Sequence, residues 1–170
     1  MRKIKIVTDS AGDVPYEAEE QYGIRVLCFA LTVDGEAYTE RKDFTPVQFY
    51  DVLQNAARIP TTAQYTPMQF EEVYEEVWQE GYTDLIYIGI NAKGSSTFQN
   101  SLLAKDGFYE SHPEAKAQME IHCVDSRTYC LGYGYPVIEA AKKARKGVPP
   151  QEILAYLENW FSCCSVYFTP

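Results

Sequence analysis

Short apolar runs alternate along the chain with longer stretches in which apolar residues recur at helical spacing. The runs have the length and composition of strands and occupy residues 3–7, 24–29, 31–33, 84–90, 119–124 and 166–168. Helical spacing and helix-stop residues indicate helices at 15–23, 66–81, 98–108, 130–146 and 149–161, with a further helix starting near 45. Strands that alternate with helices predict an α/β fold, with a mainly parallel sheet and helices on both faces.

Two helices are predicted to begin at the same local pattern, T-P-x-Q-F, at Thr45 and at Thr66. Each has a capping threonine, a proline at the first helical position and a glutamine three residues after the cap, which is a capping box. In the second helix, a one-sided core stripe is predicted at Phe70, Val73, Tyr74, Val77 and Trp78. Asp34-Gly35 predicts a hairpin turn, and the charged stretch 38–44 is predicted to be a loop.

Polar loops follow three of the predicted strands, at 8–13 (TDSAGD), 91–97 (NAKGSST) and 125–128 (DSRT). A fourth polar loop, 60–64, directly precedes the second capped helix. Ligands of open parallel sheets bind beyond the carboxyl ends of the strands, so these loops are the candidate site. The hydroxyls of residues 95–97, together with the free N–H groups of a helix start, suit an anion. The same turn is also typical of a simple helix cap, and Phe98, Leu102, Leu103 and Phe108 are predicted to form that helix's apolar side.

The net charge and the spacing of the cysteines argue against several classes of function. A net charge of −9 argues against a nucleic-acid partner, and no apolar stretch of about 20 residues predicts a membrane span. The first residues form a strand too early for a signal peptide, and the five cysteines lack Cys-x-x-Cys spacing, so a cytoplasmic protein is expected. His112 and His122 do not complete a zinc site with those cysteines. A magnesium-dependent phosphotransferase or hydrolase that uses Asp9, Asp13 or Asp125 remains an alternative.

Four segments together carry a family resemblance: "IKIVTDSAGDVP" (4–15), "PTTAQYTPMQF" (60–70), "NAKGSSTFQNS" (91–101) and "VDSRTYCLGYG" (124–134). Their order and spacing resemble those of the DegV family, whose usual forms are T-D-S-x-x-D-[LIV]-P, P-T-T-S-Q-P-[ST]-x-x-x-F, S-S-x-[LI]-S-G-T-[YF]-Q-S and [VI]-D-S. The resemblance covers essentially all 170 residues. It implies the α/β fold of the family's N-terminal domain.

The resemblance also implies a function. Members bind a long-chain, palmitate-like fatty acid and need no cofactor. Some present its carboxylate to a separate fatty acid kinase subunit without catalysing a reaction themselves. Thr62 and Ser95 match the residues that hydrogen-bond the carboxylate, and aromatic and aliphatic residues would sheath the acyl chain. Further neighbours of the head group are expected among Thr61, Ser96, Thr97, Asp9, Ser10, Asp125 and Ser126.

The chain departs from the family pattern in several places. Asn91-Ala92 replaces the usual Ser-Ser, Gly94 stands where a branched residue is common, and Ser96 replaces a glycine, which restricts the backbone. Ala63 replaces a serine and Tyr65 replaces a proline.

Family members continue into a second domain whose Arg and His residues help to close the head-group site. Residues 1–170 are therefore expected to be the N-terminal domain alone, with a half-built cleft. A domain without ligand is a further alternative. Apolar surface left uncovered favours a homodimer, and a lipid ligand is compatible with transient contact with a membrane surface.

Overall fold

The computed structural model describes residues 2–167. These residues contain seven strands: β1 (Ile4–Asp9), β2 (Arg25–Leu27), β3 (Ala30–Val33), β4 (Glu36–Thr39), β5 (Thr61–Ala63), β6 (Asp84–Gly89) and β7 (Glu120–Asp125). Residues 164–167 are not in a strand, and the remainder of the strand predicted at 166–168 lies outside the described residues.

The helices described within residues 2–167 lie close to their predicted positions, except for the short helix at 115–118, which was not predicted. They are α1 (Tyr16–Tyr22), α2 (Pro46–Asn55), α3 (Pro67–Gln79), α4 (Thr97–Ser111), α5 (Ala115–Gln118), α6 (Leu131–Arg145) and α7 (Pro150–Cys163). Both predicted capping boxes are confirmed. The Thr45 side chain accepts the Gln48 N–H at 3.3 Å and the Gln48 side chain accepts the Thr45 N–H at 2.8 Å, with equivalent bonds between Thr66 and Gln69. Short-range chemistry alone therefore starts these two helices.

The central sheet is parallel throughout, in the order β2-β1-β6-β7. Side chains alternate between its faces, so neighbouring residues of β6 enter different cores. Leu85 and Tyr87 pack with α3 and α4, whereas Ile86 and Ile88 pack with α6 and α7. Each face is thus sealed by its own apolar layer. The predicted fold class, a mainly parallel sheet with helices on both faces, is confirmed.

A second, antiparallel sheet in the order β4-β3-β5 lies beside the first. The hairpin predicted at Asp34-Gly35 joins β3 and β4. Two local predictions are wrong: Tyr38 belongs to β4 and not to a loop, and residues 61–63 form β5 and not a loop. The strand β5 has only three residues, all exposed, so it has no hydrophobic pattern of its own. Its pairing with β3, about thirty residues earlier, defines it.

The predicted apolar side of α4 is partly wrong. Leu103 is 54% exposed and Phe98 and Leu102 are half-buried, whereas Phe108 is buried as predicted. The other buried positions of α4 are Thr97, Asn100, Ser101 and Ala104. Most of these side chains are small or polar, which allows α4 to pack closely against α3. A polar buried face requires hydrogen-bond partners, and Thr97 and Asn100 find theirs beside the candidate site.

Candidate functional site

The structure brings together the three loops that follow β1, β6 and β7. The backbone N–H of Asn91 donates to the carbonyl of Thr128 at 3.2 Å, and the N–H of Ala92 donates to Asp125 Oδ1 at 3.0 Å. The N–H of Ile90 donates to Asp9 Oδ2 at 3.0 Å. The 91–95 loop is therefore fixed from both sides before any ligand binds.

Asp9 lies beneath this site and not in it. Its carboxylate is fully buried and accepts hydrogen bonds from the Tyr87 hydroxyl at 2.9 Å and the Tyr133 hydroxyl at 2.5 Å, besides the Ile90 N–H. Burial raises the pKa of Asp9, and these donors act in the opposite direction. With both oxygens engaged, Asp9 organises the loops and does not face a head group.

Three other expected neighbours are also engaged within the protein. The Ser10 hydroxyl donates to Glu40 and accepts the Phe29 N–H, which ties the end of β1 to the second sheet. Asp125 Oδ1 accepts the Ala92 and Arg127 N–H groups, and Ser126 is buried and bonded within its own turn. These side chains hold the loops in place.

An open polar pocket of about 370 Å³ lies between β5 and the 91–96 loop, lined by Thr62, Gln64, Ala92, Lys93, Gly94, Ser95 and Ser96. The structure thus places Thr62 and Ser95, the two expected carboxylate ligands, in one pocket. Thr61 lies on the other face of the small sheet, because it is the cross-strand partner of Thr32 whereas Thr62 is the partner of Leu31.

Gln64 and Lys93 also line this pocket and were not identified from the sequence. Lys93 lies within the hydroxyl-rich segment 91–97, where a cation beside predicted anion-binding hydroxyls was the available signal. Gln64 is the last residue of the candidate loop 60–64, and the polar composition of that loop was the available signal.

Hydroxyl groups connect the two sides of the pocket. Ser95 Oγ lies 2.9 Å from Thr97 Oγ1 and accepts the Thr97 N–H at 3.2 Å. Thr97 Oγ1 also accepts the Tyr65 N–H at 3.3 Å, a donor that the family's usual proline cannot supply. Ser96 has φ −75° and ψ 0°, values open to any residue, so its replacement of glycine introduces no strain. It occupies the cap position of α4 without a side-chain capping bond, so a simple helix cap does not explain it.

An apolar cavity of about 530 Å³ lies between the loop after β1, strand β3 and helix α2. Its apolar lining residues are Ala11, Val14, Pro15, Tyr16, Leu31, Phe44, Pro46, Phe49 and Tyr50. The charge of Arg41 at its wall is compensated by Glu19 at 2.8 Å, and its guanidinium stacks over Tyr16. A volume of this size falls in the range of small-molecule sites, about 300–1,000 Å³.

The three acids offered by the magnesium alternative, Asp9, Asp13 or Asp125, lie in different surroundings. Asp9 is sealed in the core, Asp125 binds backbone N–H groups, and Asp13 is exposed. Among residues 2–167, the group with metal-type ligand atoms within 4.8 Å of one another is Asp84, Glu120 and His122, where β6 and β7 begin. Arg2 already lies 2.8 Å from the Asp84 carboxylate there.

Comparison with known proteins identifies the family. A family model described as an uncharacterised protein of the DegV family matches residues 3–170, and the chain belongs to this family. A DegV domain-containing protein of Caldanaerobacter subterraneus is 34% identical over 155 residues, which is 91% of this chain and 52% of the relative. The chain thus spans about half the length of the curated relatives it matches.

Solved structures agree with this assignment. A DegV family protein from Thermus thermophilus, described as binding fatty acid, superposes with a TM-score of 0.78 at 31% identity, over 95% of this chain and 54% of that one. DegV from Bacillus subtilis, described as a fatty acid binding protein, gives a TM-score of 0.82 at 25% identity, over 95% and 55%.

Proposed function

We propose that this chain binds a long-chain fatty acid, with the carboxylate in the polar pocket and the acyl chain in the apolar cavity. One observation carries the proposal: Thr62 of the polar pocket and Leu31 of the apolar cavity are cross-strand partners. Directly paired residues project from the same face of a sheet. A ligand with an anionic end and an apolar tail matches this face.

The polar pocket suits a carboxylate because its side chains offer donors and a positive charge. Thr62 and Ser95 supply hydroxyls, Gln64 supplies an amide and Lys93 supplies an ammonium group. Hydrogen bonds to an ionised acceptor are shorter and stronger than neutral ones. The pocket is open to solvent, so the head group remains accessible from outside.

The apolar cavity accounts for most of the expected affinity. Burial of each CH₂ contributes about 0.8 kcal/mol, so a palmitate-like chain would gain about 10 kcal/mol before the costs of association. One hydroxyl-to-carboxylate hydrogen bond contributes about 1.5–3 kcal/mol. The tail therefore sets the affinity, and the head group sets the orientation.

The relatives support this proposal. The proteins from Thermus thermophilus and Bacillus subtilis are described as binding fatty acid and share the fold over 95% of this chain. We assign residues 1–170 to the N-terminal α/β domain of the family, with the second domain as the further cover of the cleft.

A role as a carrier follows from an exposed head group. We propose a non-catalytic, cytoplasmic protein that presents the bound carboxylate to a fatty acid kinase subunit. No helix within residues 2–167 is long and apolar enough to cross a membrane. Exposed apolar side chains on and near α2, such as Val47, Tyr50 and Ile59, form a surface that could be buried in a homodimer or in a transient contact with a membrane.

The test is organic extraction of the purified protein followed by mass spectrometry for bound lipid. We expect about one fatty acid per chain, and its loss in Phe49→Arg, which places a charge in the cavity. Val47→Arg is the matched control, because Val47 is 75% exposed on the same helix and does not line the cavity. A wild-type protein that holds no fatty acid and binds no added hexadecanoate would contradict the proposal. Saturable Mg²⁺ binding would favour the enzyme alternative.

A further inference from the structure

The Thr97 hydroxyl is fully buried at the edge of the polar pocket, and its contacts are few. Its oxygen accepts the Tyr65 N–H at 3.3 Å and lies 2.9 Å from Ser95 Oγ. Within residues 2–167, the hydrogen bonds of the Thr97 hydroxyl include Ser95 Oγ as an acceptor for its proton. Either hydroxyl could donate across this 2.9 Å contact, and a buried hydroxyl proton without an acceptor is costly, so the direction from Thr97 to Ser95 is the favoured one.

This direction determines what Ser95 can do. A serine oxygen has two lone pairs and one proton. Both lone pairs of Ser95 are occupied, one by the Thr97 hydroxyl and one by the Thr97 N–H at 3.2 Å. With both lone pairs used, the Ser95 hydroxyl acts as a donor, and the polar pocket that Ser95 lines is open to it. Ser95 therefore faces a ligand as a donor, polarised by the chain of bonds from Tyr65 through Thr97.

A second contact fixes the opposite side of the pocket. The buried Asn100 side chain donates to the carbonyl of Tyr65 at 2.8 Å, while Thr97 accepts the N–H of the same residue. Tyr65 lies two residues after β5, which carries Thr62. Helix α4 thus binds both the N–H and the carbonyl of Tyr65, and this fixes the position of Thr62 relative to Ser95.

We propose that Thr97 is a positioning residue whose hydrogen bonds to Ser95 make the Ser95 hydroxyl a donor to the ligand. This fixed direction makes the pocket selective for an ionised carboxylate over an alcohol of equal chain length. The inference rests on the proposed fatty-acid-binding function. A hydrogen bond to a carboxylate is stronger than one to a neutral oxygen, so the preference is expected to be about tenfold or more.

The test compares Kd values for hexadecanoate and hexadecan-1-ol, measured by displacement of a fluorescent fatty acid from the full 170-residue chain. Thr97→Val keeps the shape of the side chain and removes the hydroxyl, so Ser95 can turn its proton away from the ligand. The variant also removes the acceptor of the Tyr65 N–H, but the shorter bond from Asn100 to the Tyr65 carbonyl still holds the end of β5. We expect the acid to bind about three- to tenfold more weakly, with the alcohol unchanged within about twofold. Thr97→Ser keeps the hydroxyl and is expected to retain the wild-type preference.

The possible outcomes separate the hypotheses. Equal weakening of acid and alcohol by Thr97→Val, or loss of the preference in Thr97→Ser, would show a packing role and overturn the inference. If Thr97→Val does not fold, Thr97→Ala is measured in its place against the same expectation. A wild-type protein that binds both ligands equally refutes the inference alone, whereas one that binds neither refutes the proposed function.

Discussion

Replacement of Ser95 by alanine tests the head-group assignment most directly. Ser95 is half-buried and lines the polar pocket, where the bonding inferred above leaves its hydroxyl to donate to the ligand. The substitution removes one charge-assisted hydrogen bond, about 1.5–3 kcal/mol, and leaves the apolar cavity intact. Since about 1.4 kcal/mol corresponds to a factor of ten, the Kd for hexadecanoate should rise about 10- to 150-fold.

The same substitution also lowers the stability of the fold. Ser95→Ala leaves the Thr97 hydroxyl without its acceptor and the Thr97 N–H without its partner, at a cost of about 1–3 kcal/mol unless water replaces them. Chemical denaturation should therefore accompany the titration, to show that the variant is folded at the assay temperature.

Isothermal titration calorimetry with hexadecanoate on delipidated wild type and variant supplies the two constants. A loss far above 150-fold would mean that Ser95 does more than donate one hydrogen bond. An unchanged Kd would place the carboxylate elsewhere and refute the reasoning from the pocket geometry. Gly107→Ala is a suitable control, because it changes α4 away from the pocket and its new Cβ meets only the movable Glu71 carboxylate.

Three further predictions concern the fold and the charge of the site. Gly134→Ala should cost about 3 kcal/mol of unfolding free energy, or prevent folding, because a Cβ there would lie 1.8 Å from the Gly12 carbonyl oxygen; denaturation against Gly107→Ala measures this. Burial lowers the pKa of His122 below 6.5, so the unfolded chain binds more protons than the folded one, and the free energy of unfolding decreases as the pH drops below 6.5 towards the folded pKa. His122→Gln should reduce this dependence of the unfolding free energy on pH between pH 7.5 and 5.5. An equal dependence in both proteins would contradict the prediction. Lys93→Gln should weaken hexadecanoate binding about two- to fivefold and reduce its salt dependence, since Lys93 is exposed and screened; an unchanged salt dependence would show that Lys93 does not act on the ligand.

The sequence by itself determined the features that depend on neighbouring residues. The capping boxes at Thr45 and Thr66 involve residues three apart, so the local pattern was sufficient. The apolar runs of β1, β6 and β7 identified buried parallel strands, and a parallel sheet places their carboxyl ends at one edge. The candidate loops could therefore be found without coordinates.

Tertiary structure alone decided which side chains of those loops remain free. Asp9 looked like a ligand for a metal or a head group until Tyr87 and Tyr133, from distant parts of the chain, enclosed its carboxylate. Strand β5 has too little pattern to be predicted, yet its pairing with β3 puts Thr62 on the face of Leu31 and Thr61 on the other. The physical reason is common to both cases: whether a polar group is available to a ligand depends on partners far away in sequence, and local patterns do not record them.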